Sequence, residues 1–253
     1  MPKKISENNE ILRGVVGSTC HGTAIEGSDD LDMLGIFIEP PEKVCGLETC
    51  DHYIFRTQPD GVRSGPGDID LAMYSLRKFC RLAEHGNPSV LLLLFLPQHI
   101  IKTWIGEELI SIRKSFISKN AGKRYLGYLR AQKEKMLGIR CHTVNRPELV
   151  EKYGYDTKFA HHALRLGYQG LELLREGDLI LPIQEPELSV LRDIRLGEIN
   201  FKDCIALIEA TEAELSRAVD LCKWDSDRKA IDDFMVGAHL NHWELAYPVE
   251  CQK

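Results

Sequence analysis

The sequence has no Cys-x-x-Cys pair and no cysteine–histidine cluster with zinc-finger spacing, which argues against a dithiol redox motif and a structural zinc module. Its eight cysteines, Cys20, Cys45, Cys50, Cys80, Cys141, Cys204, Cys222 and Cys251, are scattered. They read as reduced thiols of a cytosolic protein and mainly as buried small hydrophobes. The chain lacks an apolar signal core, because it opens on Met1-Pro2-Lys3-Lys4-Ile5. It also lacks an apolar run long enough to span a bilayer, the longest being Val90 to Pro97. There is no surplus of positive charge. A net charge of −6 and a pI near 5.9 imply no global attraction to nucleic acid or anionic membrane, although a local basic face stays open. Internal repeats and low-complexity tracts are missing too. What is present is an ordinary globular composition, 43% hydrophobic and 28% charged, in 253 residues. That length suits one large domain or two modest ones, with a core that needs no disulfide staples. The expected location is the cytoplasm, including that of a host cell in which an infecting phage makes the protein.

The order of patterns divides the chain. Ile11 to Gly17 is a short apolar run ending in glycine and fits a buried strand. Ser18 to Glu26 suits a turn with a short helix. Leu31 to Ile38, bounded by Pro40-Pro41, is a second strand, and Tyr53 to Thr57 a third. Gln58 to Gly67 is a loop rich in glycine and proline, and Asp68 to Tyr74 is a fourth strand. Leu76 to Ala83 recurs at helical spacing and stops at Gly86-Asn87-Pro88, with Ser89 to Leu96 a buried helix or its last turns. Beyond Trp104 the pattern is helical, over Ile105–Phe116, Ala121–Leu137, Thr157–Glu176, Phe201–Cys222 and Arg228–Asn241. Asn145-Arg146-Pro147 and Leu181 to Pro186 are connections. The fold class is therefore α+β, a small mixed sheet over residues 1–104 followed by an all-helical domain over 105–253.

Two aspartates one residue apart, Asp30 and Asp32, follow Gly17-Ser18. On a strand they face the same way, roughly 6–7 Å apart, a separation that lets two carboxylates share hard cations. A glycine-serine turn offers backbone N–H groups and a hydroxyl to phosphate. Asp70 sits between Ile69 and Leu71, and on a neighbouring strand it completes a three-carboxylate site for two cations about 3.5–4 Å apart. It also stands where a base would take the proton of an attacking hydroxyl. Asp68 is the alternative third ligand, and Asp70 is preferred for its apolar flanks; Asp29 reads as a turn residue. Further along, Lys158, His161, His162 and Arg165 fall at i, i+3, i+4 and i+7 of one helix. They form a cationic stripe suited to a triphosphate, with Tyr168 and Arg130 as extensions of this face toward a base or an acceptor, and the same spacing also describes a solvated helix face. Trp224 and Trp243 read as packing residues.

These residues resemble the nucleotidyltransferase superfamily typified by DNA polymerase beta. The similarity is greatest to the branch associated with RNA repair and RNA ligases. It is carried by three blocks in order: Gly17 to Gly22 through Asp30 to Phe37, Asp70 through Phe79 to Val90, and Tyr155 to Leu166. The resemblance covers most of residues 11–182. It implies a mixed sheet with the two-aspartate strand beside the third aspartate, and transfer of an NMP from an NTP with release of pyrophosphate. It also implies Mg²⁺ or Mn²⁺ on Asp30, Asp32 and Asp70, and nucleotide contacts from Gly17 and Ser18. The chain departs from that branch where Thr19 and Leu34 stand in place of arginines.

The expected protein is thus a metal-dependent, ATP- or other NTP-using nucleotidyltransferase whose acceptor is a nucleic-acid end such as RNA, a protein side chain or a small molecule. Lys158, His162 and Arg165 are expected to join Gly17 and Ser18 in holding the nucleotide. The alternatives are a nucleotide-binding regulator with little catalysis and a metal-dependent phosphohydrolase.

Overall fold

A computed structural model of the chain describes residues 2–25, 27, 30–59, 61–139 and 146–246. In chain order the elements are α1 (Pro2–Asn8), β1 (Glu10–Val15), α2 (Gly17–His21), β2 (Leu31–Phe37), α3 (Pro41–Val44), β3 (His52–Arg56), β4 (Ile69–Ser75), α4 (Leu76–Glu84) and α5 (Pro88–Leu91). There follow β5 (Ile101–Lys102), α6 (Trp104–Ser111), α7 (Lys119–Met136), α8 (Pro147–Tyr153), α9 (Thr157–Glu176), α10 (Glu187–Leu196), α11 (Phe201–Leu221) and α12 (Arg228–Ala246). The class is α+β, as expected. Two segments read as single helices are broken. Ser89 to Leu96 starts in α5 and tightens into a 3₁₀ turn over Leu92–Phe95, and the segment after α6 is a 3₁₀ turn over Arg113–Phe116. In the first, the 3₁₀ stretch Leu92–Phe95 carries four consecutive apolar residues, all buried, so burial rather than one helical face decides its path. Pro147 does not merely connect: its fixed φ suits the first position of α8. Asp29, Asn145, Cys141 and Cys251 lie outside the described residues.

The chain forms two units. The first comprises the described residues up to Glu84, Ser89–Phe116 and those from Asp227 onward. Its centre is a five-stranded mixed sheet in the order β3-β4-β2-β1-β5. Strand β2 runs parallel to β4 and antiparallel to β1, while β3 and β4 are antiparallel neighbours. Ile11, Leu12, Ile36, Phe37, Leu76, Phe79, Leu91 and Leu93 are almost completely buried in this unit. The last helix, α12, belongs here as well. Glu39, just past β2 and 1% exposed, meets His239 Nε2 at 3.1 Å, and the Trp243 indole N–H donates to the Glu39 carbonyl at 2.8 Å. His239 Nδ1 lies 2.7 Å from the Met235 carbonyl.

The second unit, His85–Pro88 and Ile117–Ser226, is built on α7, α9 and α11. Their starts carry the side chains that satisfy first-turn N–H groups: Ser118 accepts from Ala121 N, Asp156 from Lys158 N and Phe159 N, and Asn200 from Asp203 N. Gly167 lets α9 and α11 approach closely, since a Cβ there would lie 2.4 Å from Thr211 Cγ2. Tyr125, Leu129, Leu164, Leu173 and Leu215 form the buried interior. No helix among the described residues is long and apolar enough to cross a membrane.

Candidate active site

The site grows out of one strand pair. Parallel pairing of β2 with β4 sets Asp32 directly opposite Asp70. Strand neighbours sit under about 5 Å apart, so two carboxylates on the same side of adjacent strands converge. Asp30, immediately before β2, adds a third, and one oxygen from each of the three lies within 4.8 Å of the others. All three side chains are half-buried. This trio is the group of potential metal-ligating residues found among the described residues.

Asp68 is used differently. Its carboxylate accepts from Gly65 N at 2.9 Å and from Thr57 Oγ1 at 2.8 Å, closing the turn that leads into β4. Its carbonyl accepts from Leu31 N at 2.8 Å, which starts the pairing with β2. Asp68 therefore sets the register, and Asp70 projects to the trio.

Gly17 lies at φ +71°, and a Cβ built on it would come 2.2 Å from Asp32 Oδ2. The backbone of the Gly17-Ser18 turn is thus packed directly against the second aspartate. Val16 N donates to the Asp32 carbonyl at 2.9 Å, fixing the same approach, and Thr23 N donates to the Ser18 carbonyl at 3.1 Å. His21 is buried in α2.

Asp70 is held by three side chains that the sequence reading did not single out. Arg56 is its register partner on β3, with Nε 2.9 Å from Oδ1 and Nη2 3.4 Å from Oδ2. Gln58 Nε2 donates to Oδ1 at 2.9 Å and Ser64 Oγ to Oδ2 at 2.7 Å. Partial burial pushes the Asp70 carboxyl upward, but the bonds from Arg56, Ser64 and Gln58 outweigh it and hold the group below the usual aspartate value. A signal existed in the sequence: an antiparallel hairpin joining Tyr53–Thr57 to Asp68–Tyr74 brings Arg56 opposite Asp70.

Lys158, His162 and Arg165 lie together on α9, in the second unit, whereas Gly17, Ser18 and the three aspartates lie in the first. They, Tyr168 and Glu172 are the half-buried positions along one stripe, while His161 is 2% exposed and belongs to the interior. Burial, and then the positive charges of Arg165, Lys158, Arg146 and Arg195, hold the His162 imidazole well below its ordinary value. Of these cations only Lys158 and Arg165 stand on α9, and Arg146 is ion-paired with Asp156, Nη1 to Oδ2 at 3.1 Å. Arg165 Nη1 donates to Gln169 Oε1 at 2.8 Å. Arg130 stands on α7 and not on α9, with its Nε 2.7 Å from Glu212 Oε1 in an ion pair between α7 and α11. Burial and nearby Glu187 push the Tyr168 hydroxyl up to about 12. Of the cysteines described, Cys50, Cys80 and Cys204 are buried, but Cys45 is exposed. Trp224 packs on the Gly177 turn.

A parallel strand pair with clustered carboxylates beside a glycine-serine turn is the arrangement implied by the likeness to polymerase beta-type nucleotidyltransferases. The match to the RNA repair pathway DNA polymerase beta family covers residues 4–201, and the chain belongs to that family. A 38.9 kDa protein of Enterobacteria phage T4, from the nrdC-mobD intergenic region, is 29% identical over 346 residues, covering 94% of this chain and 99% of that protein. Among solved structures, a nucleotidyltransferase-like protein of Exiguobacterium sibiricum matches with a TM-score of 0.30 and 10% identity, over 99% of this chain and 77% of that one.

Proposed function

We propose that the protein transfers a nucleoside monophosphate from an NTP to an acceptor hydroxyl and releases pyrophosphate, with divalent cations bound by Asp30, Asp32 and Asp70. The observation that carries this reading is the meeting of those carboxylates within 4.8 Å across the β2–β4 pair. The donor set is all hard oxygen, which suits Mg²⁺ or Mn²⁺ and not a thiophilic metal. Bound there, the cations would polarise phosphoryl oxygens and make the attacking hydroxyl more acidic. Gly17 contributes a backbone without a side chain beside Asp32, and Ser18 an N–H and a hydroxyl for the triphosphate. Lys158, His162 and Arg165 are assigned to anion binding on α9. Asp70 is assigned the proton of the attacking hydroxyl. While three side chains donate to it, Asp70 is a weak base, and that role requires some of those bonds to open. The family's place in RNA repair makes an RNA end the first acceptor to test.

The test is incubation with each α-labelled NTP, Mg²⁺ or Mn²⁺, and RNA, protein or small-molecule acceptors. Label on an acceptor supports the proposal. Free NMP alone identifies a phosphohydrolase. If neither forms, and Asp30→Ala and Asp32→Ala leave nucleotide affinity unchanged, the protein is a binding protein without this chemistry.

A further inference from the structure

We infer that Arg56, with Gln58 and Ser64, clasps Asp70 until metal and nucleotide bind together, and that the Arg56 guanidinium then passes from the carboxylate to the triphosphate. The inference rests on the nucleotidyltransferase reading. Its basis is the saturation of Asp70. Oδ1 accepts from Arg56 Nε and Gln58 Nε2, each at 2.9 Å. Oδ2 accepts from Ser64 Oγ at 2.7 Å and from Arg56 Nη2 at 3.4 Å. A carboxylate offers about four lone-pair positions, so a cation that takes an Asp70 oxygen displaces at least one donor. The donors also support each other: Arg56 Nη2 donates to Ser64 Oγ at 3.0 Å, and Gln58 Nε2 bonds the same oxygen. Loosening one therefore loosens the clasp.

Arg56 cannot shed its charge, so a triphosphate beside it offers a favourable second anion when a cation takes the carboxylate. A planar guanidinium matches two oxygens of a phosphate as well as it matches a carboxylate. Arg56 and Asp70 are directly paired on β3 and β4, so the guanidinium remains beside the three carboxylates after release. Neither Thr19 nor Leu34 offers a cation; Arg56 supplies one from an adjacent strand. Arg56 is thus a positioning residue for Asp70 and a phosphate ligand in turn.

The two roles predict shifts of opposite sign. Mn²⁺ alone would be titrated by the loss of its free-ion electron paramagnetic resonance signal. The α,β-imido analogues of the four NTPs would be titrated with saturating Mn²⁺ by calorimetry. Ser64→Ala, a neutral change in a loop, should tighten Mn²⁺ alone about threefold to tenfold and leave analogue affinity undiminished. Arg56→Gln should tighten Mn²⁺ alone by about tenfold and weaken the analogue by about tenfold or more. Arg56→Lys, which keeps the charge, should still tighten Mn²⁺ alone, which mere removal of a positive charge does not explain. Unchanged or weaker Mn²⁺ binding in Ser64→Ala and Arg56→Lys overturns the clasp. A shift of both affinities in one direction for Arg56→Gln overturns the transfer. Asp32→Asn separates this from failure of the wider reading. If it leaves wild-type Mn²⁺ binding intact, the metal site itself is wrong. If it abolishes binding while the clasp variants do nothing, only the clasp is wrong.

Discussion

At Gly17, backbone conformation and proximity make the same demand. An alanine at φ +71° costs about 1–2 kcal/mol from backbone sterics alone, and its Cβ would meet Asp32 Oδ2. Gly17→Ala should therefore lower stability in urea unfolding by at least that amount and also weaken Mn²⁺ binding, because the aspartate has to move. His162 carries a pH signature of its own. Its folded value is depressed, so the unfolded chain takes up a proton just below pH 6.5 while the folded chain does not. Stability should fall as pH drops from about 6.5 to the folded value and then level off, with a slope of at most about 1.4 kcal/mol per pH unit. Thermal unfolding of His162→Gln across that range should show a flatter pH dependence than the wild type.

Among the elements, α9 depends most visibly on its first turn. Asp156 accepts from two backbone N–H groups there and also pairs with Arg146, Nη1 to Oδ2 at 3.1 Å. Asp156→Ala should cost about 1–2 kcal/mol as a lost cap, read by chemical denaturation. Asp156→Asn should recover much of that, since it keeps the cap and loses only the ion pair. The elements that could be read from sequence have a clear apolar period or a sharp stop. Leu31 to Ile38 ends at Pro40-Pro41, and α9 alternates buried and half-buried positions over five turns. The ones that escaped lack such a face. In α10 only Leu191 and Ile194 are buried, in α1 only Ser6, and β5 is two residues long. The carboxylate trio was legible because Asp30, Asp32 and Asp70 lie within or beside apolar strands. Asp70 was already preferred over Asp68 from its apolar flanks, and the structure adds that Asp68 is engaged in the turn before β4. Arg56, Gln58 and Ser64 gain their roles only once the two strand candidates β3 and β4 are paired as a hairpin.

For the whole molecule, the informative contact joins residues two hundred positions apart. Glu39 is buried against His239, and its carboxyl is pushed up by burial but held lower by bonds from His239 and Ser75, with a net fall below the ordinary value. Its contribution is therefore present at neutral pH and lost as pH falls through that depressed value. His239→Leu would remove the 3.1 Å partner of a buried carboxylate, leaving Ser75 and, at 3.9 Å, Arg77 Nε, and should cost about 3 kcal/mol, measured by urea unfolding at pH 7. Adding Glu39→Gln should return part of that loss by removing the stranded charge. Nothing near Glu39 announces this partner, because charge pairing at such separation leaves no trace in composition or period.

The second unit lies in sequence between two pieces of the first, with α12 supplying the later piece. On a ribosome the chain emerges in that order. The helices α7 to α11 are complete and able to pack while the first unit still lacks α12, Glu39 still lacks His239, and α4 lacks one of the helices it packs against. The segment just past the strand that carries Asp32 thus acquires its partners only late in synthesis. An arrested chain ending before α12 would present a finished helical unit joined to an unfinished sheet, and cellular proteases would find the sheet first.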